Sequence, residues 1–572
     1  MEAQPASEVR SPLSAVLPGL PGLAVLREYR IGWLRSDLVA GLTVGAMLIP
    51  QCMAYAELAG LPPQFGFYAV IAALVVYALL GTSRHLGVGP EPGTAILAAT
   101  GVGAIAGGDT DRYVELMAAL AIVVAAICIV AGVARLGFLA SALSKPVLVG
   151  YITGVGLTLL SSQLAAFTGV DITSGSFFPR FRDLLTNLDE VHAGTLLLGA
   201  GTLAAILALK RRAPRVPGAL AGVVAATAIV MAFGLDEHGI AVIGAIPGGL
   251  PVPRWPTVSS DDLVELLPVA AGVALVGYSD NVLTARSVAA RHGYRIDANQ
   301  ELFALGMINL AAGVSRGFPV SSSASRTAVP ASLGSKTQLV SIVASAFVVA
   351  SLLTLRPLLA EIPRAALAAV IVSAAIAIID LPGYLALWTV SRIEFALAVV
   401  TALGVIVFDV LVGVLVAVSL SILVALHRIA RPHDAVLGDY PGLDGWVDAR
   451  AYPDAVPEPG LLVYRFDAPL FFVNAEHFRE RVEEAVASNP GDEDWLVLDF
   501  EGVGAIDATA VDVLAEFLQR VASMGVRVIA VARANEGVLD RLQRGGLTEP
   551  AGVLRVFPTI NSAVHAYRRR DE

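Results

Sequence analysis

Two stretches interrupt the long apolar runs of this chain with groups that only water or a partner can satisfy. In Val276-Gly277-Tyr278-Ser279-Asp280-Asn281-Val282-Leu283-Thr284, Asp280 and Thr284 fall one helical turn apart on one face. An ionised carboxylate in such surroundings is costly. Asp280 therefore needs a proton, a sodium ion shared with Thr284 and with carbonyls near Ser322 and Ser323, or an ion pair with Arg326. The first two make it a coupling site for a cation, with Asp280 and Thr284 as metal ligands only in the sodium case; the third makes it structural. The opposite preference lies between Gly313 and Lys336, in GVSRGFPVSSSASRTAVPASLGSK. Gly313, Pro319 and five serines (Ser315, Ser321, Ser322, Ser323, Ser325) predict an extended approach, and Thr327 to Leu333 is what remains for a short helix. The free N–H groups and positive end of such a half-helix, with Ser325 and Arg326 at its mouth, suit an anion.

A broken segment of this kind is tolerated in a bilayer only where protein or an aqueous cavity satisfies its backbone. The first half of the chain contains a counterpart. Gly81-Thr82-Ser83-Arg84 leads into Gly87 to Thr94 (GVGPEPGT), as Gly313-Val314-Ser315-Arg316 leads into the serine run. Matching interruptions in two halves are the trace of inverted membrane repeats, and on this register Pro90 and Glu91 correspond to Ser322 and Ser323.

The elements that must carry these residues are membrane helices. Of 572 residues 56% are hydrophobic and 15% charged, too apolar for a soluble chain and too long for one domain. Residues 1–36, with Arg10, Arg27, Tyr29, Arg30, Trp33 and Arg35, read as a cytoplasmic amphipathic segment, polar and Pro-rich before any apolar run and so not a cleavable signal peptide. Residues 37–430 hold about fourteen apolar runs, the last stretch from Ile393 to Ile429 being two helices that turn near Asp409. With the N-terminus inside, Lys210, Arg211, Arg212, Arg215, Arg286, Arg291, Arg295, Arg428 and Arg431 fall on the cytoplasmic side, in keeping with the positive-inside bias. Cys52 and Cys128 lie inside apolar runs as small buried hydrophobes, without disulfide or metal spacing. The eight histidines show no metal spacing, and His85 and His292 read as solvated side chains in cytoplasmic turns.

After a linker at 431–460 the chain changes character. Residues 461–572 alternate strands (Leu461 to Phe466, Trp495 to Phe500, Val526 to Val531) with helices (Asn474 to Ala487, Ala508 to Met524), the pattern of a small cytoplasmic α/β domain. From His433 onward 24 acidic residues face 13 arginines and no lysine, a balance of −11 within a total of −10, so the acidity belongs to the tail. No basic face is left for nucleic acid. Neither a nucleophile–base set nor a nucleotide loop is present; Gly103 to Gly108 ends a helix with no strand before it, so an enzyme is not expected.

Gln51, the run Pro62-Pro63-Gln64-Phe65-Gly66-Phe67-Tyr68, Gly81 to Arg84, Gly89-Pro90 and above all Phe318 to Val329 with Gly334-Ser335-Lys336-Thr337-Gln338 resemble the sulfate permease (SulP) family. Phe471-Phe472-Val473-Asn474-Ala475 and Val497-Leu498-Asp499-Phe500 with Ile506-Asp507-Ala508-Thr509-Ala510 resemble its STAS domain. The resemblance implies two inverted seven-helix repeats forming a core that moves against a gate, usually a homodimer in the cell membrane, with both termini cytoplasmic and no cofactor. It implies secondary active transport of an inorganic oxyanion, most simply sulfate, coupled to H⁺ or Na⁺; the alternatives are Na⁺:bicarbonate symport and an uncoupled or exchanging anion carrier. Asp280 matches the family position that couples the cation. Gln51 and Tyr55, one turn apart on the first helix, join the anion site by family analogy, although on residue type alone Tyr55 is core packing. Glu91 departs from the small, polar or aromatic residue that is usual after Gly89-Pro90. It is either a second protonatable group or a side chain that snorkels or bonds backbone across the repeat interface. Thr509 aligns with a phosphorylatable serine of anti-sigma-factor antagonists, in a turn that is otherwise a helix cap made by Asp507.

Overall fold

The protein is represented by a computed structural model that describes residues 20–138, 144–172, 174, 176–213, 216–408, 410–442, 445–488, 494–550 and 552–570. Arg10, Arg215 and the turn expected at Asp409 lie outside the described residues. The chain divides into two compact units, Met1–Ser421 and Ile422–Glu572.

The first unit is helical. A short α1 (Pro21–Arg27) precedes α2 (Leu34–Leu58), α3 (Gln64–Leu80), a two-residue strand β1 (Val88–Gly89), α4 (Pro92–Ala106), α5 (Thr110–Val133) and α6 (Lys145–Ser162). The short α7 (Leu164–Thr168) and α8 (Phe177–Thr186) lead to α9 (Ala193–Arg212) and α10 (Gly218–Phe233). The second half begins with α11 (Ser260–Arg291) and α12 (Ala298–Val314), then β2 (Ser321–Ser322), the half-helix α13 (Ala324–Ser332) and α14 (Leu339–Thr354). It ends with α15 (Arg356–Ala360), α16 (Arg364–Ile378), α17 (Leu381–Val390), α18 (Arg392–Phe408) and α19 (Val410–Ala430). Among the described residues, six helices are long and apolar enough to cross a membrane, and α3, α4, α10 and α14 are shorter apolar ones.

Lipid gives apolar faces no reason to prefer one another, so these helices associate by close approach and by buried polar bonds. Gly41 and Gly45, one turn apart on α2, bring it against α14; a Cβ on Gly41 would stand 2.6 Å from the Cβ of Val343. The helices sort into two groups by packing. In one, α2, α3, α5, α11, α12 and α14 surround the short α4 and α13; in the other, α6, α9, α10, α16 and α18 pack on one another and meet the first group where α6 touches α4 and where α10 and α16 touch α2.

Two fully buried carboxylates staple the repeats together. Asp37 at the start of α2 accepts from the Lys336 N–H (2.8 Å) and the Thr337 hydroxyl (2.7 Å). Glu301 on α12 accepts from the Tyr77 hydroxyl (2.9 Å), the Thr82 N–H (2.8 Å) and hydroxyl (2.6 Å), and the Ser83 N–H (3.0 Å). A buried carboxylate is costly unless its oxygens are met, and these are. His85 also departs from expectation. It is buried rather than solvated, with Nδ1 on the Tyr294 hydroxyl at 3.0 Å and Nε2 on the Ser335 carbonyl at 3.0 Å. The carbonyl can only accept, so Nε2 carries the hydrogen.

In the second unit, β3 (Asp434–Asp439), β4 (Trp446–Asp448), β5 (Leu461–Phe466), β6 (Trp495–Asp499), β7 (Val528–Ala532) and β8 (Leu554–Phe557) form one sheet in the order β4-β3-β5-β6-β7-β8. The strands β5 to β8 are parallel, and β3 and β4 add antiparallel at the edge. Part of the expected linker is thus sheet: β3 pairs Val436 with Tyr464. Helices α20 (Ala475–Ser488), α21 (Ala508–Ser523), α22 (Glu536–Arg544) and α23 (Ile560–Arg568) complete the domain. The sheet is buried on both sides: Phe466, Phe478, Phe500 and Phe517 fill one layer, and Val463, Trp495, Ala530 and Tyr567 fill another.

Candidate functional site

The two broken segments meet as paired backbone. β1 and β2 run antiparallel, with Val88 opposite Ser322 and Gly89 opposite Ser321. The Ser323 N–H extends the pairing to the Gly87 carbonyl (3.0 Å), and the Gly87 N–H donates to the Thr327 hydroxyl (3.0 Å). At Gly87 a Cβ would lie 2.8 Å from that of Arg326, so this approach requires glycine. Asn309 clamps the extended lead-in from behind, accepting from the Val320 N–H (2.9 Å) and donating to its carbonyl (3.0 Å). As a result α4 and α13 begin at one place, after Glu91 and Ser323, with their positive ends converging; α13 has no side-chain cap, whereas α4 is capped by Glu91.

α13 starts three residues earlier than the sequence predicts, so Ser325 and Arg326 sit in its first turn instead of preceding it. Arg326 is 1% exposed. Its Nη1 donates to the Pro90 carbonyl (2.8 Å) and to Gln51 Oε1 (3.2 Å), while Nε and Nη2 are buried without a partner. Among the described residues Arg326 forms no ion pair, so its contact with Asp280 anticipated as one option is not made here. Asp280 on α11 instead accepts from the Ser322 hydroxyl at 3.2 Å, and Ser321 one residue earlier donates to the Gly277 carbonyl at 3.0 Å. These two bonds fix α11 against β2.

Glu91 bonds backbone, but within its own repeat. Its carboxylate accepts from the Thr94 N–H at 2.9 Å, capping its own helix α4 and not reaching across the repeats. Gln51 and Tyr55 are both buried on α2, Gln51 beside the guanidinium. Ser323 and Ser325 exchange a hydroxyl bond of 3.0 Å at an exposed position. Thr284 faces a cavity of about 600 Å³ between α11 and α13, shared with Ser287, Arg291, His292 and Ala328. The arrangement thus presents two unfilled guanidinium nitrogens and one uncapped helix N-terminus, chemistry that suits an anion, with one carboxylate a turn away from a cavity-lining hydroxyl. Asn309 was not singled out from the sequence, and Gly87, Pro90 and Thr327 were read only as parts of the broken segments. Only backbone pairing gives them a role, and no side-chain chemistry announces it.

In the second unit Thr509 is exposed, and Asp507 caps α21 by accepting from the Ala510 N–H (2.8 Å) while also taking the Phe472 N–H (3.0 Å).

Comparison with known proteins agrees with this geometry. Residues 34–401 match the sulfate permease family and residues 452–563 the STAS domain. A probable sulfate transporter of Mycobacterium tuberculosis is 47% identical over 550 residues, covering 96% of this chain and 98% of that one. A chloroplastic sulfate transporter of Arabidopsis thaliana is 32% identical, covering 94% and 81%. The solved structure of a murine solute carrier 26 anion transporter in the inward-facing state superposes with a TM-score of 0.89 at 27% identity over 99% of this chain and 96% of that one. The transmembrane domain of a cyanobacterial bicarbonate transporter shares the fold, with a TM-score of 0.60 at 23% identity over 68% of this chain and 98% of that one. With most of the membrane unit and the tail each matched, and the broken segments paired as such a site requires, the chain belongs to the sulfate permease family of membrane transporters and carries a STAS domain.

Proposed function

We propose that this protein is a secondary active carrier of an inorganic oxyanion, sulfate first, in the cytoplasmic membrane, driven by a cation that neutralises Asp280. The observation that carries the reading is the Arg326 guanidinium, fully buried with Nε and Nη2 unpartnered at the start of a half-helix. A buried cation with open donors is costly unless a ligand fills them, and the planar fork matches a tetrahedral oxyanion. Sulfate is preferred over bicarbonate because a probable sulfate transporter is 47% identical over 96% of this chain, whereas the bicarbonate transporter domain is 23% identical over 68% of it.

Asp280 supplies the coupling. Anion and cation charges close to one another in low dielectric each favour the other's binding, so sulfate beside Arg326 and a proton or Na⁺ at Asp280 load together. The proton is the leading choice. Asp280 is held by a single hydroxyl, and Thr284 points into the cavity one turn on, where a sodium ion would have to draw it in as a second ligand. Gln51, Tyr55, Ser322, Ser323 and Ser325 line or support the anion, and Glu91 holds the end of α4. The termini lie in the cytoplasm, the carrier is a homodimer, and the STAS domain serves contact and regulation, with Thr509 open to modification.

The test is uptake of radiolabelled sulfate and bicarbonate into proteoliposomes under imposed pH or Na⁺ gradients, for wild type and Asp280→Asn. Sulfate uptake driven by an inward proton gradient and lost in Asp280→Asn is the expected result. Gradient-independent counterflow, or bicarbonate uptake only with Na⁺, replaces the proton-coupled reading by an exchanger or a Na⁺:bicarbonate symporter.

A further inference from the structure

Several buried polar groups outside the residues so far placed at the site lack a hydrogen-bond partner among the described residues, Ser279, Asn281 and Tyr151 among them, and of these Tyr151 stands on the helix group that faces the broken segments from the other side. Tyr151 lies on α6 at 5% exposure, and its hydroxyl has no hydrogen-bond partner among the described residues. Buried hydroxyls in folded proteins are almost always paired. The ring packs in the main apolar cluster with Val155 and Leu159, one and two turns along α6, while Gly150 and Gly154 of the same helix stand against α18 and Gly156 against α16, so Tyr151 lies on a face of α6 turned away from those two contacts. The same helix touches α4, and the Glu91 and Asp280 carboxylates are the charged groups within electrostatic reach of the hydroxyl. Arg326 lies within reach of the same two carboxylates. Both carboxylates have a bond elsewhere, Glu91 to the Thr94 N–H and Asp280 to the Ser322 hydroxyl.

We propose that the Tyr151 hydroxyl is a positioning donor for the transported oxyanion, reaching it from the opposite side to Arg326. The inference rests on the anion reading of Arg326. An oxyanion accepts through every oxygen, so it fits between donors on opposite walls, whereas a cation would be repelled by Arg326 and would leave the hydroxyl proton unused. The placement has a mechanical meaning. Arg326 belongs to the helix group around the broken segments and Tyr151 to the group formed by α6, α16 and α18. An anion held by both bridges the two groups, so its affinity depends on how closely they approach.

The test is equilibrium binding of radiolabelled sulfate to the purified full-length protein, comparing wild type, Tyr151→Phe and Arg326→Gln. Phenylalanine keeps the ring and its packing and removes only the donor. The expected result is a Kd raised roughly tenfold or more in Tyr151→Phe, the worth of one hydrogen bond to a charged acceptor, with the melting temperature unchanged. A Kd within twofold of wild type overturns the proposal. Loss of binding in Arg326→Gln at the same time leaves the anion site standing, and intact binding there removes the anion site itself. As a readout that keeps the hydroxyl and the fold, fluorotyrosine at position 151 should show a fluorine resonance that shifts with sulfate in the wild-type background and not in Arg326→Gln. A resonance unmoved by sulfate refutes the role independently of any folding defect.

Discussion

Replacing Arg326 by lysine keeps the charge and removes the fork, and the structure says what that should cost. Nη1 is committed to the Pro90 carbonyl and Gln51 Oε1, while Nε and Nη2 remain for the anion. An ammonium on a shorter stem is a point charge that cannot present two parallel donors while also reaching Pro90 and Gln51. At least one charge-assisted bond to the anion is lost, about 1.5–3 kcal/mol, or roughly 10- to 150-fold in Kd. Because the Pro90 carbonyl and the Gln51 amide are buried, leaving either unmet costs a further ~1–3 kcal/mol of stability, several degrees of Tm in a cooperative unit of modest size. The two effects separate experimentally. Binding of radiolabelled sulfate reports the first and thermal unfolding without anion the second. Because Coulomb attraction survives the substitution, chloride should compete better against sulfate in Arg326→Lys than in wild type. Sulfate bound within threefold of the wild-type Kd would refute the reasoning, since the guanidinium would then be part of the scaffold and not of the site.

Four other outcomes follow from the same geometry. Glu91→Gln should leave the pH profile of uptake unchanged, and Glu91→Ala should lower stability by ~1 kcal/mol as a lost cap; a displaced profile in Glu91→Gln would restore Glu91 as a proton carrier. Gly87→Ala should abolish sulfate binding while the protein still inserts and purifies, because its Cβ displaces Arg326; retained binding would show that the strand pair has slack. Glu301→Gln should lower the melting temperature markedly, because a carboxamide can accept at only one of the two oxygen positions that meet Tyr77, Thr82 and Ser83; an unchanged melting curve would remove Glu301 as a staple. In the STAS domain, burial works against ionised Asp434, but the Tyr464 hydroxyl and Arg481 guanidinium outweigh it and hold its carboxyl below the usual range. Its contribution is therefore complete above the unfolded value of about 3.9 and is lost as pH falls through the lower folded value. Acid unfolding monitored by proteolysis of the tail should be less steep in Asp434→Asn, and an unaltered steepness would contradict the assignment.

Much of the site was legible because broken membrane segments are rare and carry conspicuous residues. The glycines and prolines of Gly87 to Thr94 and the serines up to Ser325 mark the places where a spanning helix cannot continue, and those are the places where it stops. What escaped was pairing at long range. Asp37 reads as the first polar residue of a helix, and nothing near it in sequence reveals a partnership with Lys336 and Thr337. Glu301 is hidden in the same way, and His85 looks like a loop residue until Ser335 closes over it. The start of α13 was misplaced because three small polar residues suggest a loop, although Ser323 to Arg326 can begin a helix once β2 ends. Near the start of the tail, Asp434-Ala435-Val436-Leu437-Gly438-Asp439 has acidic ends, a glycine and flanking turn residues, and it does not read as a strand without β5 beside it.

The paired strands β1 and β2 bear on how such a chain could have arisen. Each contributes two residues, and among the described residues neither has another partner strand. Half of the membrane unit alone would leave its broken segment with open backbone groups in the middle of a bilayer, where nothing replaces them. A seven-helix ancestor could bury that backbone only against a second copy, and an antiparallel strand pair fixes the copy upside down in the membrane. Such an ancestor would have to insert in both directions at once, with no strong charge bias to choose between them. Carrying both halves in one chain removes that ambiguity. It also frees equivalent positions to differ, as Glu91 before α4 differs from Ser323 before α13.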